Sequence, residues 1–133
     1  MKVVIAKLGF DTHSWGLDNL AYAVERAGHT VVYLGRMNTA EQIVKTAVEE
    51  DVDAIFLNFY HLNHFGWTKD VKTELEGYGR DDIDIVLGGI IPEEDREVLH
   101  DKGIKVYSRR ESLTEFLGEL SDEYGQSGTG TYA

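Results

Sequence analysis

A doubly wound α/β domain built on a five-stranded parallel sheet is predicted by three features of the sequence. Five short runs rich in Val and Ile recur along the chain, helical patterns separate them, and 133 residues suffice for a single core. Runs that are apolar at nearly every position suit strands covered on both faces, which is how parallel sheets are built.

The first run, Met1 to Leu8, carries Val3, Val4 and Ile5. A helix follows near Trp15, with Leu17, Leu20, Ala21 and Val24 on one face and Gly28 at its end. The second strand spans His29 to Leu34. Thr39 and Gln42 then form a capping-box pattern ahead of Ile43, Val44, Ala47 and Val48, which marks the second helix. The third strand is Val52 to Leu57, and Trp67, Val71 and Leu75 give the next helical stripe, closed by Gly77 and Gly79. Ile83 to Leu87 is the fourth strand. Pro92 stands where a fourth helix begins, and Glu93, Glu94 and Asp95 oppose the positive end of its dipole. Ile104 to Tyr107 is the fifth strand, and Ser112 with Glu115 repeats the capping pattern before Leu113, Phe116, Leu117 and Leu120. The domain is therefore expected to cover residues 1–123, with 124–133 (YGQSGTGTYA) as a flexible tail lacking periodicity and bulk.

Strict alternation of strand and helix leads to the flavodoxin-like order 2-1-3-4-5, whose crevice opens where the first and third strands end. Three loops reach it: Gly9 to Gly16, Asn58 to Gly66, and Gly88 to Pro92. Composition narrows what can happen there. Without cysteine, disulfides, thiolate metal sites and cysteine nucleophiles are excluded. A net charge of -11 repels a phosphate backbone and argues against nucleic acid as a partner. No stretch is long and apolar enough to span a membrane and Lys7 interrupts the first apolar run, so a cytoplasmic location is expected. Asn58 ends the third strand where a phosphoacceptor receiver needs aspartate, and the first loop offers only Thr12 and Ser14 for a flavodoxin-type phosphate cradle. No Walker or dinucleotide fingerprint is present.

The first loop holds the most informative constellation. Asp11 precedes His13 by two residues, so its carboxylate can accept one ring N–H while the other ring nitrogen faces outward as a metal ligand. Lys7, four residues before Asp11, can keep that carboxylate charged. An Asp that merely caps the next helix, with a surface His beside it, is the alternative reading of the same spacing.

Asp11-x-His13-x-x-Gly16, preceded by Lys7 and Gly9 and joined by Gly88-Gly89-Ile90-Ile91-Pro92 after the fourth strand, resembles the cobalamin-binding domain of methylmalonyl-CoA mutase and related acyl-CoA mutases. The likeness runs from Lys2 to about Leu120. It implies adenosylcobalamin bound base-off and His-on, with His13 as lower ligand to cobalt, Asp11 hydrogen-bonded to His13, and Lys7 supporting Asp11. It further implies that Thr12, Ser14, Trp15, Gly16, Asn58, Tyr60, His64, Gly88 and Gly89 contact the cofactor. Asn58-Phe59-Tyr60 replaces the family's Ser-x-Leu, and Ser108-Arg109-Arg110-Glu111 replaces its Gly-Pro-Gly-Thr-like turn. Both replacements enlarge side chains where the nucleotide tail lies in that family. A barrel that binds the acyl-CoA has no room in this chain, so the resemblance implies a small, non-catalytic subunit that pairs with a large substrate-binding mutase subunit. A free-standing cobalamin carrier or sensor is the alternative. A third reading takes His13, His61 and His64 as a divalent metal site on the same fold. His29 and His100, at a strand start and a helix end, are read as structural.

Overall fold

The computed structural model describes residues 1–8, 15–59, 64–89, 91–107, 115 and 118. Along them, strand and helix alternate as β1 (Lys2–Leu8), α1 (Trp15–Arg26), β2 (Thr30–Asn38), α2 (Ala40–Glu49), β3 (Ala54–Phe59), α3 (His64–Gly77), β4 (Asp84–Gly89), α4 (Glu93–Asp101) and β5 (Lys105–Val106). The five strands pair in parallel in the order β2-β1-β3-β4-β5. Glu115 and Gly118 are helical. The remainder of the fifth helical pattern and the 124–133 tail lie outside the described residues.

Alternation along the strands divides the core into two layers, because successive side chains leave a strand on opposite faces. Val3 and Ile5 of β1, Ala54 and Phe56 of β3, and Val86 of β4 pack with Leu17 and Val24 of α1. Val4, Ala6, Ile55, Leu57, Ile85 and Leu87 point the other way, onto Ile43, Val44 and Ala47 of α2, Val71 and Leu75 of α3, and Leu99 of α4. The sheet is thus sealed on both sides. Truncating a fully buried member such as Leu57 to Ala costs about 2–5 kcal/mol.

Local signals account for most element ends. Thr39 Oγ1 accepts from the Gln42 backbone N–H at 3.1 Å while Gln42 Oε1 accepts from the Thr39 N–H at 2.9 Å, so the capping box forms as the sequence requires. Pro92 occupies the N-cap position of α4 and gives no side-chain cap, which leaves the first-turn acids Glu93, Glu94 and Asp95 to complement the helix end. Helix α3 begins at His64, three residues before the Trp67 stripe.

The second strand departs from its expected end at Leu34 and continues to Asn38. The pairing with β1 steps from Ile5–Tyr33 to Ala6–Gly35, then to Leu8–Asn38, so β2 carries extra residues against β1. Gly35 has φ of +70°, a conformation that side chains disfavour, and it absorbs the bulge that keeps the strands paired. Strands β3 and β4 likewise run two residues further than their apolar runs, through Asn58–Phe59 and Gly88–Gly89.

The amino ends of the strands are tied by ion pairs. Lys2 Nζ meets Glu50 at 3.2 Å, Arg80 meets Asp51 at 2.8 Å and Asp82 at 2.9 Å, and Lys105 meets Asp84 at 3.0 Å. Exposed pairs of this type contribute about 0–1 kcal/mol each.

Candidate functional site

At the carboxyl ends of the strands a row of side chains crosses the sheet on the α1 face. Ala6 pairs with Leu57, which puts Lys7 and Asn58 one step further along β1 and β3, and Asn58 in turn pairs with Gly88. Leu87 pairs with Val106, so Tyr107 follows beside Gly88. Lys7, Asn58 and Gly88 share the parity of Ile5, Phe56 and Val86, and Tyr107 packs against that same core layer. This row lies at the point where the strand order reverses between β1 and β3, the ligand crevice of open α/β sheets.

Lys7 is 1% exposed although it lies only one residue from the end of β1. A buried ammonium is costly unless an acceptor or anion accompanies it, so its position directly before the Asp11 loop is chemically informative. Asn58 is half-buried and supplies an amide to the same row. Gly88 leaves a methyl-sized notch between them and Tyr107: a Cβ there would stand 3.5 Å from Tyr107 Cδ1 and 3.8 Å from Asn58 Nδ2. Its φ is not positive, and those distances are ordinary contacts, so neither backbone conformation nor packing against the described residues demands glycine at 88. Among the described residues, the side chains nearest to that position are those of Tyr107 and Asn58. The row thus brings together a buried cation, an amide, a glycine and an aromatic side chain at the carboxyl ends of the strands.

Two contacts fix the elements around the row. Asn38 Nδ2 donates to Gly35 O at 2.9 Å and to Lys7 O at 3.1 Å, clamping the bulged end of β2 to the residue from which the first loop departs. Tyr33 Oη donates to Asp18 Oδ1, which ties the first turn of α1 to β2. The Tyr33 phenol is pushed up to about 12, first by desolvation and then by the bond to Asp18 and its charge.

Of the residues singled out from the sequence, the structure brings Lys7, Asn58 and Gly88 into one row and puts Gly89 one step beyond on β4. Trp15 and Gly16 open α1, and His64 opens α3. Asp11, Thr12, His13, Ser14, Tyr60 and His61 lie outside the described residues, as do Ser108 to Glu111. Among the described residues no group of three or more His, Asp or Glu side chains could hold a metal ion. Sequence reasoning missed Asn38 and Tyr107. Tyr107 ends the fifth apolar run and reads only as strand, and Asn38 follows a glycine that reads as the strand's end.

Comparison with known proteins decides the family. The model of the B12 binding domain matches residues 1–116. The chain belongs to the B12-binding domain family. This B12-binding domain is similar to the 2-hydroxyisobutanoyl-CoA mutase small subunit of Aquincola tertiaricarbonis, at 30% identity over 79% of the chain and 77% of that protein. It is also similar to the methylmalonyl-CoA mutase large subunit of Streptomyces virginiae, at 34% identity over 77% of the chain, but spans only 14% of that protein. In fold it is similar to a cobalamin-binding protein from Desulfitobacterium hafniense DCB-2, with a TM-score of 0.76 and 20% identity, covering 91% of the chain and 57% of that structure. The B12-binding domain thus has the flavodoxin-like sheet that its sequence predicts. Among its described residues no helix is long and apolar enough to cross a membrane.

Proposed function

We propose that this chain binds adenosylcobalamin base-off and His-on, with His13 as the lower ligand to cobalt, and serves as the small subunit of a cytoplasmic carbon-skeleton mutase. The observation that carries this reading is the burial of Lys7 at the carboxyl end of β1, four residues before Asp11 and six before His13. A lysine ammonium held there keeps the Asp11 carboxylate ionised. Asp11 then accepts the N–H of one His13 ring nitrogen, fixes its tautomer and makes the other nitrogen a stronger donor to cobalt. Thr12, Ser14, Trp15 and Gly16 would contact the bound cofactor from the first loop and the start of α1. Asn58, Tyr60 and Tyr107 bound the slot for the nucleotide tail, while Gly88 and Gly89 let backbone approach it. The bound cofactor supplies the radical chemistry, and this chain supplies ligation, orientation and exclusion of water.

The small-subunit reading is supported by the chain's coverage of 77% of a mutase small subunit. Its partner is then a large subunit that binds the acyl-CoA, and residues 1–123 form the cofactor domain with 124–133 as a flexible tail. The test is titration with adenosylcobalamin followed by absorption spectroscopy. Binding should displace the cofactor's own base, and His13→Ala should abolish the histidine-ligated spectrum. An unchanged spectrum and affinity in that variant overturns the ligation. Adding a large mutase subunit should create turnover that the chain alone lacks. Cobalamin binding without turnover in that mixture makes the chain a carrier or sensor instead.

A further inference from the structure

On the other side of the sheet from the cobalamin row, α3 and α4 stand apart and leave a groove of about 620 Å³. The volume lies within the ordinary range of small-molecule sites, about 300–1,000 Å³. Its floor is apolar, from Phe65, Leu99 and Ile104, and it continues along α3 toward Ile83 and Ile85. Its rim is cationic. Lys69, Lys72 and Lys102 all line its α3–α4 part, against one carboxylate, Glu76, and Asp81 and Asp84 lie along the continuation.

Three observations distinguish this groove from ordinary solvated surface. First, the lysines have no carboxylate partner among the described residues, although the protein carries a net charge of -11 and pairs Lys2, Arg80 and Lys105 with acids elsewhere. Second, the lysines are ordered by other contacts. Lys72 Nζ donates to the Lys102 carbonyl at 2.9 Å, and the Lys102 ammonium stands 5.4 Å from the centroid of the Phe65 ring. Third, Thr68, 2% exposed and lining the same groove, has a buried hydroxyl without a hydrogen-bond partner among the described residues. A buried orphan hydroxyl costs stability, and a ligand oxygen or N–H reaching the floor would satisfy it.

We propose that the α3–α4 groove is a second ligand site, distinct from the cobalamin face, that takes an amphiphilic anion. Its ligand has an aliphatic or aromatic body that lies on Phe65, Leu99 and Ile104, and a carboxylate, phosphate or sulfonate held by Lys69 and Lys72. Thr68 marks the depth to which a polar atom of that ligand reaches. The apolar floor favours carbon over bare inorganic phosphate, and the lysines favour an anion over a neutral lipid.

The test uses 8-anilinonaphthalene-1-sulfonate as the probe, on the full chain loaded with cobalamin so that the other face is filled. Fluorescence titration should give saturable binding, and amide shifts of Thr68, Lys69 and Lys72 in NMR spectra should place it in the groove. N-phenyl-1-naphthylamine, the same aromatic body without the sulfonate, should bind at least about tenfold more weakly. Lys69→Glu, and separately Lys72→Gln, which keeps a donor for the Lys102 carbonyl, should each weaken the sulfonated probe several-fold with cobalamin binding unchanged. Thr68→Val should weaken it while leaving the fold intact. Equal binding of the two probes, indifference to both lysine variants, or shifts confined to other faces would overturn the proposal. Saturation of the groove by a large mutase subunit, with loss of probe binding, would assign it to a protein partner and overturn the small-molecule site.

Discussion

The Asn38 amide donates to the carbonyl of Lys7 at 3.1 Å, joining the bulged end of β2 to the last turn of backbone before the first loop. One side chain therefore sets where the proposed ligand loop leaves the sheet. An amide has only two N–H groups, and the other is directed to Gly35 O at 2.9 Å, inside the bulge itself.

Asn38→Ala should lower stability by about 1 kcal/mol, the net value of such a bond, with a further cost for the carbonyls left unpaired. Cobalamin affinity should fall more than the stability change explains, because the exit of β1 loses its clamp. Urea unfolding and cofactor titration on the same preparation check both effects. Equal losses in the two measurements would reduce Asn38 to a purely structural part.

Gly88→Ala separates folding from binding. The added methyl meets Tyr107 and Asn58 at ordinary contact distances, so the unfolding midpoint should move by less than about 1 kcal/mol. Filling the notch should cost cobalamin at least about tenfold in affinity. A variant that binds the cofactor normally would show that the notch is not part of the slot.

Asn58 and Tyr60 make a different prediction, since the resemblance to acyl-CoA mutases implies the smaller serine and leucine at these positions. A corrinoid lacking its nucleotide tail should bind at least as well as intact cobalamin. Asn58→Ser combined with Tyr60→Leu should strengthen binding of the intact cofactor several-fold. Weaker binding in the double variant would mean that the slot has been rebuilt around the larger side chains.

His29 gives a pH dependence to the fold. Its ring is buried, its Nδ1 lies 3.0 Å from the terminal amine of Met1, and its pKa is lowered, first by burial and then by the positive charge of that amine. The native state therefore resists protonation of this ring, while the unfolded chain takes up the proton near pH 6.5. Stability from this group is complete above about pH 6.5 and is lost as pH falls through the lowered native value. Urea unfolding across that range should show the decline, and His29→Asn should flatten its histidine component.

Much of the architecture could be read directly because its signals are local. The Thr39–Gln42 box forms as written, the Trp67–Val71–Leu75 stripe lies on α3, and the five apolar runs become the five strands. The end of β2 was illegible for a physical reason. Gly35 reads as a stop, yet its left-handed conformation makes a bulge that carries pairing on to Asn38. The site was legible only as separate motifs. That Lys7, Asn58, Gly88 and Tyr107 stand in one row follows from the register between strands, a property of the assembled sheet that no single segment encodes. Thr68 shows the opposite limit. Its place on the helical stripe beside Trp67 gives no hint that its hydroxyl is buried without a partner among the described residues.

The two outer strands bear on how the protein behaves when crowded. An open parallel sheet ends in rows of unpaired N–H and C=O groups that invite strand addition from a neighbouring chain. Here one outer strand, β2, is kinked by the Gly35 bulge, and the other, β5, offers only Lys105 and Val106 among the described residues, with Lys105 bound sideways to Asp84. Neither presents a long, flat template. At these two strands, the described residues therefore offer little for intermolecular sheets to grow on.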